Sequence, residues 1–252
     1  MKKISLTIAA CLIGAVSQAQ LIDDFGVAGL GEYTQTRVLD NGIAEVNVSF
    51  SDASGKLSAT YAGTISQPEQ VLLLRNDFSL AIGYRLLVDV SFLTQTSSLD
   101  FGLAVSQTAT PAGVVNPTPT DTRLGFNWAA VYVRPSQNTV RAGSFINGVA
   151  VTGTGILNVD ETLVGQLFID RDSATSFTLG YYDTSAVRVV SRTAVFTATD
   201  VGTAIGFYGD LRAPGTLGDL DNLRIVAIPE PAATALAGVG MLTLIGRLRR
   251  RA

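Results

Sequence analysis

The stretch Thr36-Arg37-Val38-Leu39-Asp40-Asn41-Gly42-Ile43-Ala44-Glu45-Val46-Asn47-Val48-Ser49-Phe50 decides the fold class. Glu45, Asn47 and Ser49 alternate with Val46, Val48 and Phe50. A period of two puts one face of a strand in a core and the other in water. Asn41-Gly42 supplies the positive φ of a tight turn, so the stretch reads as a β-hairpin. The same punctuation recurs outward. Strands are expected over residues 56–61, 71–75, 84–92, 100–106, 125–134 and 139–145. After a second Asn-Gly turn at Asn147-Gly148 they continue over 163–170, 176–182, 187–192, 203–208 and 220–226. Only 194–202 suggests a helical turn. Short strands separated by Gly, Asn, Asp and Pro, across the 209 residues from Gln20 to Ile228, predict one all-β domain. The expected architecture is an antiparallel two-sheet sandwich of jelly-roll type.

The two ends are built differently. Met1-Lys2-Lys3, the apolar run Ile4 to Val16 and the small residues Ser17-Gln18-Ala19 have the order of a signal peptide cut after Ala19. Cys11, the single cysteine, leaves with that leader, and the chain has no histidine. Thiolate nucleophiles, histidine bases, disulfides and ordinary zinc sites are thereby excluded from the exported body. Removing Lys2, Lys3 and four terminal arginines from 18 basic residues leaves 12; removing Glu230 from 21 acids leaves 20. The body is thus near −8, which argues against nucleic acid as a partner.

At the other end, Ile228 is followed by Pro229-Glu230-Pro231, the uncharged residues 232–246, and Arg247, Arg249, Arg250 and Arg251. The two prolines end any regular element. Fifteen residues of helix extend roughly 22 Å at 1.5 Å per residue, short of the ~30 Å hydrocarbon core unless arginine stems snorkel. Arginines after an apolar run hold a segment on the cytoplasmic side, so this tail is expected to be a short transmembrane helix with a stop-transfer end. This order of parts resembles the PEP-CTERM sorting signal of exported bacterial proteins. The resemblance implies export by the Sec machinery, removal of the leader by signal peptidase, and a membrane-held intermediate. An exosortase-type transpeptidase would then process the chain near Pro229, Glu230 and Pro231. The implied destination is the cell surface or exopolysaccharide matrix of a Gram-negative-type bacterium. The domain boundaries follow as 1–19, 20–227 and 228–252.

Leu21-Ile22-Asp23-Asp24-Phe25 at the start of the body, Phe168-Ile169-Asp170-Arg171, Ser176-Phe177-Thr178-Leu179, Ile205-Gly206-Phe207-Tyr208 and Asp219-Leu220-Asp221-Asn222-Leu223-Arg224-Ile225 resemble concanavalin-like (laminin-G-like) jelly rolls. That resemblance implies neighbouring terminal strands. Asp23, Asp24, Asp219, Asp221 and Asn222 would then gather hard oxygen donors into a candidate structural calcium site, although their spacing is not that of an EF-hand loop. Otherwise no cofactor is expected. Trp128, Tyr132, Tyr181, Tyr182 and Tyr208 are candidate stacking platforms for sugar rings, with alternation sending about half of such aromatics inward. A glycosidase would need two carboxylates at a fixed separation; Asp170 with Asp172, and Asp160 with Glu161, are turn acids that nothing singles out. The body is therefore expected to be non-catalytic, with a lectin-like module for exopolysaccharide as the alternative and a glycan-active enzyme as a further one. The Thr- and Pro-rich stretch 106–123 reads as a solvated loop that could carry O-linked sugars.

Overall fold

The computed structural model describes residues 19–26, 29–39, 48–62, 69–91, 99–109, 126–151, 155–211 and 214–228. Most of the leader, the Asp40-Asn41-Gly42 turn, most of the Thr/Pro-rich loop, Pro229-Glu230-Pro231, the segment 232–246 and the terminal arginines lie outside the described residues.

Sixteen strands are described: β1 (Gln20–Asp23), β2 (Thr34–Leu39), β3 (Val48–Ser51), β4 (Leu57–Tyr61), β5 (Glu69–Arg75), β6 (Tyr84–Val90), β7 (Leu99–Ser106), β8 (Trp128–Arg134), β9 (Thr139–Ile146), β10 (Val149–Ala150), β11 (Gly155–Asn158), β12 (Val164–Arg171), β13 (Ser176–Asp183), β14 (Arg188–Val195), β15 (Ala204–Leu211) and β16 (Gly215–Ala227). They form two antiparallel sheets. Sheet A has the order β14-β13-β12-β6-β16-β4-β3, with β1 also paired to β16; sheet B has the order β10-β9-β8-β7-β15-β5-β2, with β11 paired to β9. Among the described residues, helical structure is limited to two 3-10 turns, Pro135–Gln137 and Glu161–Leu163. No helix among them is long and apolar enough to cross a membrane.

Alternation explains the sandwich. On β5, Val71 and Leu73 face sheet A; on β7, Leu99, Phe101, Leu103 and Val105 do; on β15, Ile205 and Phe207. They meet Leu86 and Val88 of β6, Leu167 and Ile169 of β12, and Phe177 and Leu179 of β13. Each such side chain removed from water contributes about 1.5–3 kcal/mol. Sheet B breaks the inward-apolar, outward-polar rule, because its outer face carries a second apolar cluster: Leu72, Leu74, Ala104, Trp128, Phe145 and Tyr208 among others. That is why every residue of β7 is buried.

The expected two-residue turn at Asn147-Gly148 is present, with φ of 49° and 75°, and joins β9 to β10. The hairpin expected around Asn41-Gly42 is not reproduced by the described strands. β2 pairs with β5 in sheet B, whereas β3 pairs with β4 in sheet A. On β3 Val48 is buried and Ser49 exposed, in keeping with the alternation, but both sheets need a strand here, and a jelly roll passes the chain between sheets. The helical turn expected over 194–202 is also absent: β14 runs through Val195, and the residues after it are irregular. Terminal strands are neighbours as expected. Gln20 lies opposite Ile225 and Leu21 opposite Arg224 in the β1–β16 ladder, and Ile228 donates its N–H to the Gly83 carbonyl at 2.8 Å.

Candidate functional site

Register assembles the outer face of sheet B in transverse rows. Gln70, Asp210 and Asp100 stand directly opposite one another across β5, β15 and β7. Arg134 of β8 forks onto both Asp100 carboxylate oxygens and approaches Asp210 at 4.0 Å. The next row is Leu72, Tyr208, Gly102, Tyr132 and Arg141. A row of small residues follows, with Gly206, Ala104, Ala130 and Gly143. The last carries Ala204, Ser106, Trp128 and Phe145. Gly102 is required where it stands: a Cβ there would lie 2.1 Å from the Val131 carbonyl oxygen and 2.5 Å from Tyr132 Cα.

The charged row is nearly dry, with Asp100 0%, Asp210 2% and Arg134 6% exposed. Gln70 donates to Asp210 at 3.1 Å, and the Tyr208 hydroxyl donates to the same oxygen at 3.4 Å. Burial, and then the negative charges of Asp100 and Asp210, push the Tyr132 phenol above its ordinary range. Tyr132 therefore remains a protonated donor at neutral pH. Among the described residues, two buried side-chain polar atoms on this face have no partner: the Trp128 indole N–H and the Gln70 amide oxygen. A buried, unmade hydrogen bond costs about 1–3 kcal/mol, so this face holds a donor and an acceptor that the fold itself does not satisfy.

The five expected sugar-stacking aromatics divide among three environments. Trp128, Tyr132 and Tyr208 come together on this face. Trp128 is stacked on Phe145 at 3.8 Å and lies 5.3 Å from Tyr208, which is 4.9 Å from Tyr132. The rings pack on one another, and Trp128 and Tyr208 are fully covered, so of the three only the half-buried Tyr132 meets solvent. Tyr181 sits in the inter-sheet core. Tyr182 is on the outer face of sheet A, 5.4 Å from Phe168.

On that second face Asp170 is 1% exposed. It accepts two hydrogen bonds from Arg85 and one from Arg188 at 2.7 Å. Both guanidinium groups lie over the Phe168 ring, at 4.9 and 4.7 Å from its centroid, and Arg85 also donates to the Tyr182 hydroxyl. Asp170, expected as a turn acid, is thus a buried anchor at the end of β12. Asp172 accepts from Thr178 at 2.7 Å, Asp160 caps the 3-10 turn through the Thr162 N–H, and Glu161 is buried.

Strand pairing brings the expected calcium ligands near in sequence register, but their side chains turn to separate partners. Asp23 accepts from the Tyr33 hydroxyl at 3.1 Å and lies 3.8 Å from Arg75. Asp24 accepts from the Gly26 N–H. Asp219 lies 3.9 Å from Lys56, Asp221 accepts from the Asn222 N–H, and Asn222 donates to Asp89. Among the described residues no group of three or more acids, histidines or cysteines is placed to hold a metal ion.

Sequence reasoning missed Gln70, Asp100, Arg134 and Asp210. For Asp100 the local signal is one polar residue between apolar neighbours, Leu99-Asp100-Phe101; that the four share one row is a property of register.

No family model matches the chain, and no curated protein does. Solved structures do resemble it. A Bacillus subtilis protein of galectin-like fold matches with a TM-score of 0.52 and 11% identity, over 84% of this chain and 97% of that one. The endo-β-1,3-glucanase of Pyrococcus furiosus matches with a TM-score of 0.51 and 12% identity, over 84% and 95%. At such identities the likeness concerns architecture alone: the body is a galectin-like, concanavalin-like jelly roll.

Proposed function

We propose that the protein is an exported component of a bacterial cell surface or extracellular matrix, with a non-catalytic β-sandwich body. Its leader is removed after Ala19, and its tail is processed at Pro229-Glu230-Pro231 by an exosortase-type enzyme. The observation that carries this reading is where the strands lie. Among the described residues the first strand begins at Gln20 and the last ends at Ala227, so the two stretches with the character of sorting signals flank the described sandwich. The prolines favour an extended segment beside the apolar run, the backbone form that peptide-cleaving sites bind. Intact mass of the protein recovered from an exporting bacterium tests it. Loss of residues 1–19 and of the tail is expected, with the tail retained when Pro229, Glu230 and Pro231 are all changed to alanine. A parent chain that keeps Ala252 would overturn the reading.

A second reading, recognition of matrix polysaccharide by the outer face of sheet B, is favoured by the half-buried Tyr132, which meets solvent on the face that also holds the buried, unpartnered Trp128 N–H and Gln70 oxygen. A saccharide supplies both hydroxyl donors and acceptors. Titration of polysaccharides should give saturable binding that Tyr132→Ala and Gln70→Leu weaken at least tenfold and Tyr182→Ala leaves unchanged. Equal loss in all three, or flat isotherms across a broad panel, would overturn it. The mature chain's lack of histidine and cysteine, and the engagement of Asp100 and Asp210 by Arg134 and Gln70, support a binding rather than a catalytic role.

A further inference from the structure

We propose that Gln20 is converted to pyroglutamate in the exported protein; this rests on the reading that the leader is cut after Ala19. Cleavage there turns the Gln20 backbone nitrogen into a primary amine. That amine attacks the Cδ carbonyl of its own side chain, the bond from Cδ to the carboxamide nitrogen breaks, and the nitrogen leaves as ammonia with the amine's proton. Atoms and charge balance without oxidant, reductant or a second substrate. An α-amine titrating near 7.7–8.0 is about one-tenth neutral at pH 7, so nucleophile is present throughout.

The surroundings of Gln20 permit the reaction. It is exposed, at the first position of β1. Among the described residues no hydrogen bond holds its carboxamide away from the amine. β1 pairs with β16 alone, with Gln20 opposite Ile225. A lactam keeps the Gln20 main-chain carbonyl, the acceptor that a peptide residue brings to an antiparallel ladder. An uncyclised terminus would instead place an ammonium at the sheet edge. Cyclisation therefore removes one positive charge from the body and leaves the pairing of Leu21 and Asp23 with β16 in place.

A feature of composition makes the product countable. Lys56 is the only lysine between Gln20 and Ile228, and its side chain is 39% exposed. After cyclisation it is the sole primary amine of the body. The test uses the full chain with its own leader, collected after export and treated with an amine-acylating reagent before mass analysis. The expected N-terminal peptide starts at residue 20 and is one ammonia lighter than its glutamine form. The parent takes one label, Lys56→Arg takes none, and Gln20→Ala takes two. A peptide that starts at Gln20, keeps its ammonia and carries a label in Lys56→Arg would overturn the cyclisation and leave the export reading standing. A chain that starts at any other residue would overturn the leader reading itself.

Discussion

Replacing Asp170 by alanine should be among the most damaging single changes to the body, although the site is on an outer face. The carboxylate neutralises two guanidinium groups whose side chains are 9% and 38% exposed. Burial alone would lower the Arg85 basicity; the hydrogen bonds it donates to Asp170, and the Asp170 charge, reverse that and raise it. Removing one partner of a buried ion pair costs about 3–5 kcal/mol, chiefly by stranding the other. The Phe168 ring and the Tyr182 hydroxyl still receive Arg85, a cation–π contact being worth about 0.5–2 kcal/mol. A net loss of about 3 kcal/mol follows, and at about 2–4 °C per kcal/mol for a body this size the midpoint should fall by about 6–12 °C. Urea unfolding followed by circular dichroism gives the free energy directly. The double change Asp170→Leu with Arg85→Met should recover most of the loss, because apolar replacement of both members of a buried pair is near neutral. A single variant within about 1 kcal/mol of the parent, the value of a surface pair, would refute the argument; so would a double variant no better than the single.

Three further outcomes are expected. Gly180→Ala should destabilise by about 1–3 kcal/mol, since its Cβ would lie 2.1 Å from the Val189 oxygen and 2.8 Å from the Phe168 ring; Gly165→Ala, whose nearest atom is at 3.1 Å, is the milder comparison, and equal losses would refute the packing account. Burial alone would raise the Asp89 carboxyl, but Arg224, Gln166 and Asn222 outweigh it and hold it below the ordinary value of 3.8. A depressed carboxyl stabilises the fold above its unfolded-chain value and loses that contribution as pH falls through the folded one. The parent should thus exceed Asp89→Asn at about pH 6 by about 1 kcal/mol at most, given solvent screening at 35% exposure. The gap should close below about pH 4, and a gap that survives in acid would refute the assignment. Chelator should leave the thermal midpoint unchanged; a fall would restore Asp23, Asp24, Asp219, Asp221 and Asn222 as calcium ligands.

Much of the fold was legible because strands that face one core announce it. β4 alternates Leu57, Ala59 and Tyr61 with Ser58 and Thr60, and its burial follows the same beat. β5 does not alternate: Val71-Leu72-Leu73-Leu74 is an unbroken apolar run, because its odd residues enter the inter-sheet core and its even ones the Trp128 cluster. The aromatics could not be assigned to a face where parity was unknown. Tyr181 and Tyr182 are neighbours in sequence and therefore on opposite faces, whereas Trp128 and Tyr132, an even number apart, share one. Tyr208 joins them only because β15 inserts beside β7. The residues expected as calcium ligands lie on or beside neighbouring strands, but each side chain has its own partner, and the bulges in the β1–β16 and β6–β16 ladders redirect the residues next to them.

The positions of the last two strands set the order in which the body can assemble. β15 fills the slot between β5 and β7, and β16 the slot between β4 and β6. Until residues 204–227 arrive, each sheet exists only as two separate fragments with a missing middle, and β1, the first strand to emerge, has nothing to pair with. Loop closure over nearly the whole body must precede its most central contacts, the circumstance that makes folding slow. A chain passing N-terminus first through a membrane pore would therefore remain pliable until its final strands clear the pore, and would lock only then. The sandwich is in this sense a latch thrown from its C-terminal end: shortening that end by one strand would leave sheet A in two pieces.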